Sequence, residues 1–174
     1  MASNNLNKYD KIALSGRTPF EVCCVPKEQR NSNDNIFVAD YLYNNVNFFA
    51  SMNIVLVAFI SWKMIAQSYK ENEKIIVKGE EGDWMYVIYK GTVEVMIEGR
   101  VGKPILVEAW NVFGQTALQN KGPRNATIEA RTPTECLILL KSDYDSVIFE
   151  SIVRIIHYLY RKCKRWQISS TSSG

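Results

Sequence analysis

From Ala66 to Leu140 the apolar residues recur with a period of two, and turn residues interrupt the pattern every few positions. Successive side chains on a strand point to opposite faces, so a run of this kind folds as short strands rather than helices. Glu73 to Val77 reads as one strand, and Gly79-Glu80-Glu81-Gly82-Asp83 as a glycine-flanked turn. Trp84 to Tyr89 follows, with Met85, Val87 and Tyr89 on one face and Trp84, Tyr86 and Ile88 on the other. Lys90-Gly91 turns into Thr92 to Ile97, where Val93, Val95 and Ile97 alternate with Thr92, Glu94 and Met96. A connection over Glu98 to Lys103 carries Gly99 and Gly102, and Pro104 to Ala109 returns. Ala126 to Ala130, the turn Arg131-Thr132-Pro133 and Glu135 to Leu140 complete the series. Many short strands with regular turn signals predict a β-sandwich or barrel of jelly-roll type.

The period is helical on both sides of this region. Ile36, Phe37, Ala39, Leu42 and Tyr43 predict a short helix after Asp34-Asn35, and a second helix is expected over Ser51 to Ile65. Beyond the strands, Ser142 stands as an N-cap with Asp145 three places on. Ile148, Ile152, Ile155, Leu159, Cys163 and Trp166 form one stripe of the helix that follows, beside Val153, Ile156 and Tyr160. Its closing Arg161, Lys162, Lys164 and Arg165 suit the negative end of the helix dipole. Residues 1–35 are rich in Asn, Ser and Lys and read as a flexible lead-in, and 167–174 as a disordered Ser-rich tail.

Composition removes several classes of function. A net charge of +3 over 174 residues is not the concentrated basic surface of a nucleic-acid binder. With His157 as the one histidine, a histidine-rich metal site is excluded, and no metal is expected. Cys23, Cys24, Cys136 and Cys163 have neither C-x-x-C spacing nor histidine partners, and reduced intracellular thiols are the natural reading. The N-terminus has no apolar core of the signal-peptide kind. The apolar segment Val46 to Ala66 is interrupted by Asn47, Ser51, Asn53, Ser61 and Lys63. A membrane span needs about 20 mostly apolar residues, so a buried helix is expected there.

The stretch Phe113 to Ile128 concentrates chemistry. Gly114 permits close backbone approach, Gln115 to Leu118 can start a short helix whose N–H groups face an anion, and Arg124 precedes a strand. A helix N-terminus opposite a guanidinium suits a phosphate. A plain strand-turn-strand connection with a surface arginine fits these residues as well.

Two glycine-rich stretches stand in order along the chain. Gly79-Glu80-Glu81-Gly82-Asp83-Trp84-Met85-Tyr86-Val87-Ile88 runs into Lys90-Gly91-Thr92-Val93-Glu94-Val95, and Phe113-Gly114-Gln115-Thr116-Ala117-Leu118 into Pro123-Arg124-Asn125-Ala126-Thr127. Together they resemble the cyclic nucleotide-binding domain of cAMP-dependent kinase regulatory subunits, cGMP-dependent kinase, gated channels and the bacterial catabolite activator. Phe113-Gly114-Gln115 and Lys90-Gly91-Thr92-Val93 are similar to the runs in Epac-like exchange factors. The resemblance covers about residues 36–166. It implies an α+β, mainly β fold: an eight-stranded jelly roll flanked by N-terminal helices and a C-terminal amphipathic lid or hinge helix.

The same resemblance implies a phosphate-binding cassette over Gly114 to Thr127. The cyclic phosphate of cAMP or cGMP would rest on the short helix at Gln115, Thr116 and Ala117 and pair with Arg124, beside Asn125 and Ala126. Residue 115 would accept from the ribose 2′-hydroxyl, and Gly79, Gly82, Asp83 and Gly91 would form supporting turns. It further implies a cytoplasmic, non-enzymatic regulator without other cofactors. Its flanking helices would act on a kinase or exchange factor in the same or a partner polypeptide, with neither nucleic acid nor a membrane span involved.

This chain departs from the family at four positions. Gln115 replaces the usual Glu, Trp110 stands where many members have glycine, and Thr116 replaces a branched apolar residue. Asn125 follows the arginine where cAMP binders usually have Ala, and its side-chain oxygen could accept from a guanine amino group. A neutral hydrogen bond contributes roughly 1 kcal/mol against about 1.5–3 for a charged one, so Gln115 would weaken the ligand about tenfold. The Epac-like residues favour cAMP over cGMP. The alternative is a degenerate module kept for protein–protein contact or for another phosphate or nucleoside. A cupin-like enzyme is disfavoured, since no strand carries the histidines or paired acid–base groups it would need.

Overall fold

The computed structural model describes residues 16–99, 102–119 and 122–171. Eight antiparallel strands form two sheets: β1 (Ile65–Tyr69), β8 (Thr134–Leu140), β3 (Trp84–Lys90) and β6 (Val112–Phe113) in one, and β2 (Lys74–Ile76), β7 (Thr127–Ala130), β4 (Thr92–Met96) and β5 (Ile105–Glu108) in the other. This is the mainly-β jelly-roll type of fold that the alternating pattern predicted. The strand β6 falls inside the stretch Phe113 to Ile128 and its approach, where no strand was expected.

The first sheet is buried on both faces, which explains the unbroken apolar run in its central strands. Met85, Val87, Leu137 and Leu139 face a helical layer, together with Val38, Leu42, Phe49, Val57 and Ile60. Tyr86, Ile88, Cys136 and Ile138 point the other way, into the space between the sheets, with Ile76, Val93, Phe113, Ile128 and Ala130. Full burial of each such side chain stabilises by roughly 1.5–3 kcal/mol, so β3 and β8 anchor both cores. The face assignment made from the alternation of Trp84 to Tyr89 holds, with Trp84 itself exposed at the strand's start.

The helical layer is larger than its periodicity announced. The expectation of a flexible lead-in through residue 35 is overturned from Pro19 onward, and residues 1–15 lie outside the described residues. Helix α1 (Pro19–Cys24) starts with a capping box between Thr18 and Glu21 and a proline in its first turn, and it buries Val22 and Cys23. The buried Arg30 then donates to the carbonyls of Val25 at 2.8 Å, Cys23 at 3.0 Å and Trp62 at 3.4 Å, tying this segment to the layer. Helix α2 (Ser32–Asn45) begins four residues earlier than Ile36, because the Asn31 side chain accepts from the N–H of Asp34 at 2.8 Å.

The helix expected over Ser51 to Ile65 is present as α4 (Ile54–Lys63), and a separate short helix α3 (Asn47–Ala50) precedes it. Asn53 sets the start of α4 by capping it, its side chain accepting from the N–H of Val55 at 2.8 Å. No helix among the described residues is long and apolar enough to cross a membrane.

At the C-terminal end β8 passes directly into α6 (Lys141–Thr171). Ser142 therefore lies inside the helix and is not its N-cap. Asp145 pairs instead with Lys141 at 3.1 Å. Residues 167–171, expected in a disordered tail, continue the helix, and 172–174 lie outside the described residues. Of the expected stripe, Ile148 is half-buried, while Ile152 and Ile155 are exposed beside Val153 and Ile156. The side chains of Leu159, Tyr160, Cys163 and Trp166 are outside the described set. Val147 is buried in the helix's second turn, and Arg154 lies over the Phe59 ring of α4, 5.0 Å from its centroid.

Gly91, in the β3–β4 turn, has φ of +98°, and a Cβ there would meet the Pro133 carbonyl oxygen and Thr134 Oγ1 at 2.6 Å. Gly79 has φ of +86° with nothing within 4 Å. Gly79→Ala should therefore lose only the left-handed cost of about 1–2 kcal/mol. Gly91→Ala should lose about 2–4 kcal/mol, because backbone must also move. Urea titration of the two variants checks the difference.

Candidate functional site

The two glycine-rich stretches, 34 positions apart from Gly79 to Phe113 in the chain, meet in one place. The turn after β2 docks on the segment before β7: Gly79 N–H donates to the Arg124 carbonyl and Arg124 N–H to the Glu80 carbonyl, both at 2.9 Å. Glu81 forms an antiparallel bridge with Pro123, and Lys78 N–H donates to Thr127 Oγ1 at 3.0 Å. Backbone pairing thus fixes where the Arg124 side chain leaves the chain.

That side chain lies in a slot made by two glycines. A Cβ built on Gly82 would overlap the guanidinium, falling 2.7 Å from Nη2 and 2.8 Å from Cζ. One built on Gly114 would lie 3.0 Å from Nη1 and 3.0 Å from the Trp84 carbonyl oxygen. Gly114 also has φ of +72°, a conformation side-chain-bearing residues rarely adopt. Arg124 Nη2 donates to the Trp84 carbonyl at 2.8 Å and Nη1 to that of Gly114 at 3.3 Å. Burial pushes the guanidinium pKa down from its ordinary value, while the nearby Tyr86 and Asp83 act in the opposite direction. An arginine nonetheless keeps its charge in a protein, so the slot holds a partly desolvated cation.

Helix α5 (Thr116–Gln119) is a single turn beside this cation. The N–H groups of Ala117 and Leu118 are taken by the carbonyls of Gly114 at 3.1 Å and Gln115 at 3.0 Å. Any anion on this turn would therefore use the N–H groups of Gln115 and Thr116 rather than that of Ala117. Ala117 and Leu118 are buried, whereas Gln115 and Thr116 are exposed. Thr116, Ala117, Gly122, Pro123, Arg124 and Asn125 line a groove of about 270 Å³.

The remaining residues singled out from the sequence sort by position. Gln115 and Asn125 are exposed at or next to the groove, and Ala126 is half-buried just before β7. Gly82 and Asp83 adjoin Arg124, Gly79 anchors the docked turn, and Gly91 lies at the β3–β4 turn against Pro133 and Thr134. Trp110 has φ of +74° and packs its ring at a tilt against Tyr41 of α2, with ring centroids 5.0 Å apart. A positive φ at Trp110 costs about 1–2 kcal/mol, which the ring contact offsets. Trp110 belongs to the helical side of the sheet and not to the groove.

Sequence reasoning missed three contributors. The Trp84 carbonyl has no side-chain signal at all. Tyr86 stacks on Phe113 at 4.7 Å beneath the arginine, but its alternation marked it only as core. Lys141 donates from Nζ to the Leu118 carbonyl at 2.7 Å, a contact no spacing would reveal. Among the described residues no group of three or more His, Cys, Asp or Glu side chains could hold a metal ion.

Residues 66–151 match the family model described as cyclic nucleotide-binding domain. The chain is similar to a cGMP-dependent protein kinase of Eimeria tenella, 29% identical over 104 residues that make up 60% of this chain and 10% of that protein. It is likewise similar to a cAMP-dependent protein kinase regulatory subunit of Dictyostelium discoideum, 32% identical over 120 residues, 65% of this chain and 35% of that protein. A regulatory subunit of Yarrowia lipolytica matches at 29% over 85 residues, 49% of this chain and 23% of that protein. The chain therefore spans well under half the length of these relatives.

Cys23 and Cys136 are free thiols buried in the two cores, and burial pushes the pKa of each up to about 12. Thiolate is the reactive form. Iodoacetamide near neutral pH should therefore modify the exposed Cys24 and leave Cys23 and Cys136 intact until denaturant is added, as read by site-resolved mass spectrometry.

Proposed function

We propose, for a chain whose residues 66–151 belong to the cyclic nucleotide-binding domain family, that the groove beside Arg124 takes a cyclic nucleotide as a regulatory ligand. The observation that carries this reading is the arginine slot itself. Gly82 and Gly114 leave room for a guanidinium that spends two hydrogen bonds on main-chain carbonyls. A guanidinium has five N–H donors, so donors remain for a phosphate beside α5. The phosphate would lie between Arg124 and the N–H groups of Gln115 and Thr116. The exposed Gln115 amide would accept from the ribose 2′-hydroxyl, and Ala117, Asn125 and Ala126 would border the ligand.

The base preference is proposed as cAMP over cGMP, on the Epac-like Gln115. The relatives include both cGMP-dependent kinases and regulatory subunits of cAMP-dependent kinase. Asn125, exposed on the groove, is the residue that would shift the balance toward guanine. The domain would act without catalysis and without a cofactor besides its ligand. We place it in the cytoplasm, with occupancy passed through α6 and the N-terminal helices to a kinase or exchange factor in the same or a partner polypeptide. No nucleic acid takes part in this scheme.

A second reading draws on the same carbonyls. Because Trp84 and Gly114 hold Arg124 in place without any ligand, a degenerate module kept for protein contact or for another phosphate or nucleoside would keep the same slot. Calorimetric titration with cAMP, cGMP and adenosine side by side separates the two. The proposed function expects heat with a cyclic nucleotide and none with adenosine, and silence from both nucleotides would sink it.

Arg124→Ala should abolish measurable binding, because losing one member of a buried charged pair costs about 2–5 kcal/mol. Titration heat equal to that of the unmutated chain would remove Arg124 from the site. Asn125→Ala should leave cAMP affinity within about twofold and weaken cGMP by about fivefold, the loss of one hydrogen bond of roughly 1 kcal/mol. Competition against a fluorescent cyclic nucleotide reads both ratios.

A further inference from the structure

Lys141, the junction between β8 and α6, holds both halves of the site through two different groups. Its main-chain N–H donates to the Asp83 carbonyl at 2.6 Å, at the end of the turn whose Gly82 abuts Arg124. Its ammonium donates to the Leu118 carbonyl at 2.7 Å and pairs with Asp145 at 3.1 Å, with the side chain only 13% exposed. A one-turn helix leaves its last carbonyls without partners inside the helix, so α5 depends on an outside donor to keep its place. The same first turn of α6 is also anchored to the N-terminal layer. Asp143 pairs with Lys27 at 2.9 Å and with Lys63, at the end of α4, at 3.7 Å.

We propose that Lys141 is a positioning residue for the anion seat, and the inference rests on the reading of that seat as a cyclic nucleotide site. Its ammonium fixes α5 against a helix that the N-terminal layer already holds. Gln115 and Thr116 are thereby kept at a set distance from Arg124 before any ligand arrives. Preorganisation of this kind raises affinity by removing an ordering cost from the binding step. A neutral side chain of the same length would fill the space and leave the Leu118 carbonyl unheld. The ion pair with Asp145 orients the ammonium but does not reach α5, so the two contacts are separable.

The test uses the whole chain and three variants: Lys141→Met, Lys141→Arg and Asp145→Asn. Titration with cAMP and cGMP gives affinity, and amide hydrogen exchange of the ligand-free proteins reports order segment by segment. Lys141→Met should bind about tenfold more weakly, in keeping with the loss of one charge-assisted hydrogen bond. Its exchange should rise over residues 114–119 while β3 and β8 stay protected. Lys141→Arg should recover part of the affinity, and Asp145→Asn should bind within about twofold of the unmutated chain. Unchanged affinity in Lys141→Met would overturn the inference, and so would loss of protection spread through β3 and β8. If the unmutated chain binds neither nucleotide, the site reading and this inference fall together. If it binds and Lys141→Met matches it, this inference alone falls.

Discussion

A half-buried guanidinium held by two main-chain carbonyls is the contact on which the rest of the site depends. Arg124 reaches the Trp84 and Gly114 carbonyls only because β3 and β6 pair, with Tyr86 opposite Phe113, so that the two carbonyls face the same slot. Taking a cation out of water is costly unless it is hydrogen-bonded. Those carbonyls therefore hold the half-buried arginine in place, with the charge of Asp83 nearby. Gly82 and Gly114 serve the same end by absence, since any side chain there would occupy the guanidinium's place.

The helical layer makes this arrangement rigid. One sheet carries apolar residues on both faces, so β3 and β8 are clamped between the helices and the second sheet. Close packing on both sides leaves little freedom for the strand ends that present the Trp84 carbonyl and launch α6. The junction at Lys141 joins the two regions in space: the turn of Asp83, the single turn of α5, and the helix that leads away. Past Val147 the described part of α6 exposes Phe149, Ile152, Val153, Ile155 and Ile156, while Arg154 lies over the Phe59 ring of α4.

Much of the fold was legible because strands and helices differ in period. Alternation located six of the eight strands to within a residue or two at their ends, and it assigned the faces of β3 correctly. For β1 it marked only a change of period at Ala66 and named no strand. It missed β6, whose two residues are too short to show a period. Composition misled at the N-terminus. The Thr18-Pro19-Phe20-Glu21 capping signal was present, but Asn, Ser and Lys around it suggested a lead-in without structure. The Ser142 cap failed for the converse reason. The capping spacing was right, but the strand runs into the helix with no break for a cap to fill.

The candidate site divides in the same way. Sequence alone determined the residue types that matter: glycines at 79, 82 and 114, an arginine at 124, and a short helix-compatible run between them. Those are local requirements of backbone conformation and charge, and local requirements leave a trace in the order of residues. Tertiary structure alone decided that Gly82 lies against Arg124, that Trp110 turns its ring to Tyr41 and away from the groove, and that Lys141 holds α5. Each of these is a contact between segments far apart in the chain, and the acceptors that hold Arg124 and Lys141 are backbone carbonyls, of Trp84, Gly114 and Leu118. Every residue has a carbonyl, so no sequence pattern marks the ones that become acceptors. Only the packing of the strands that carry them does.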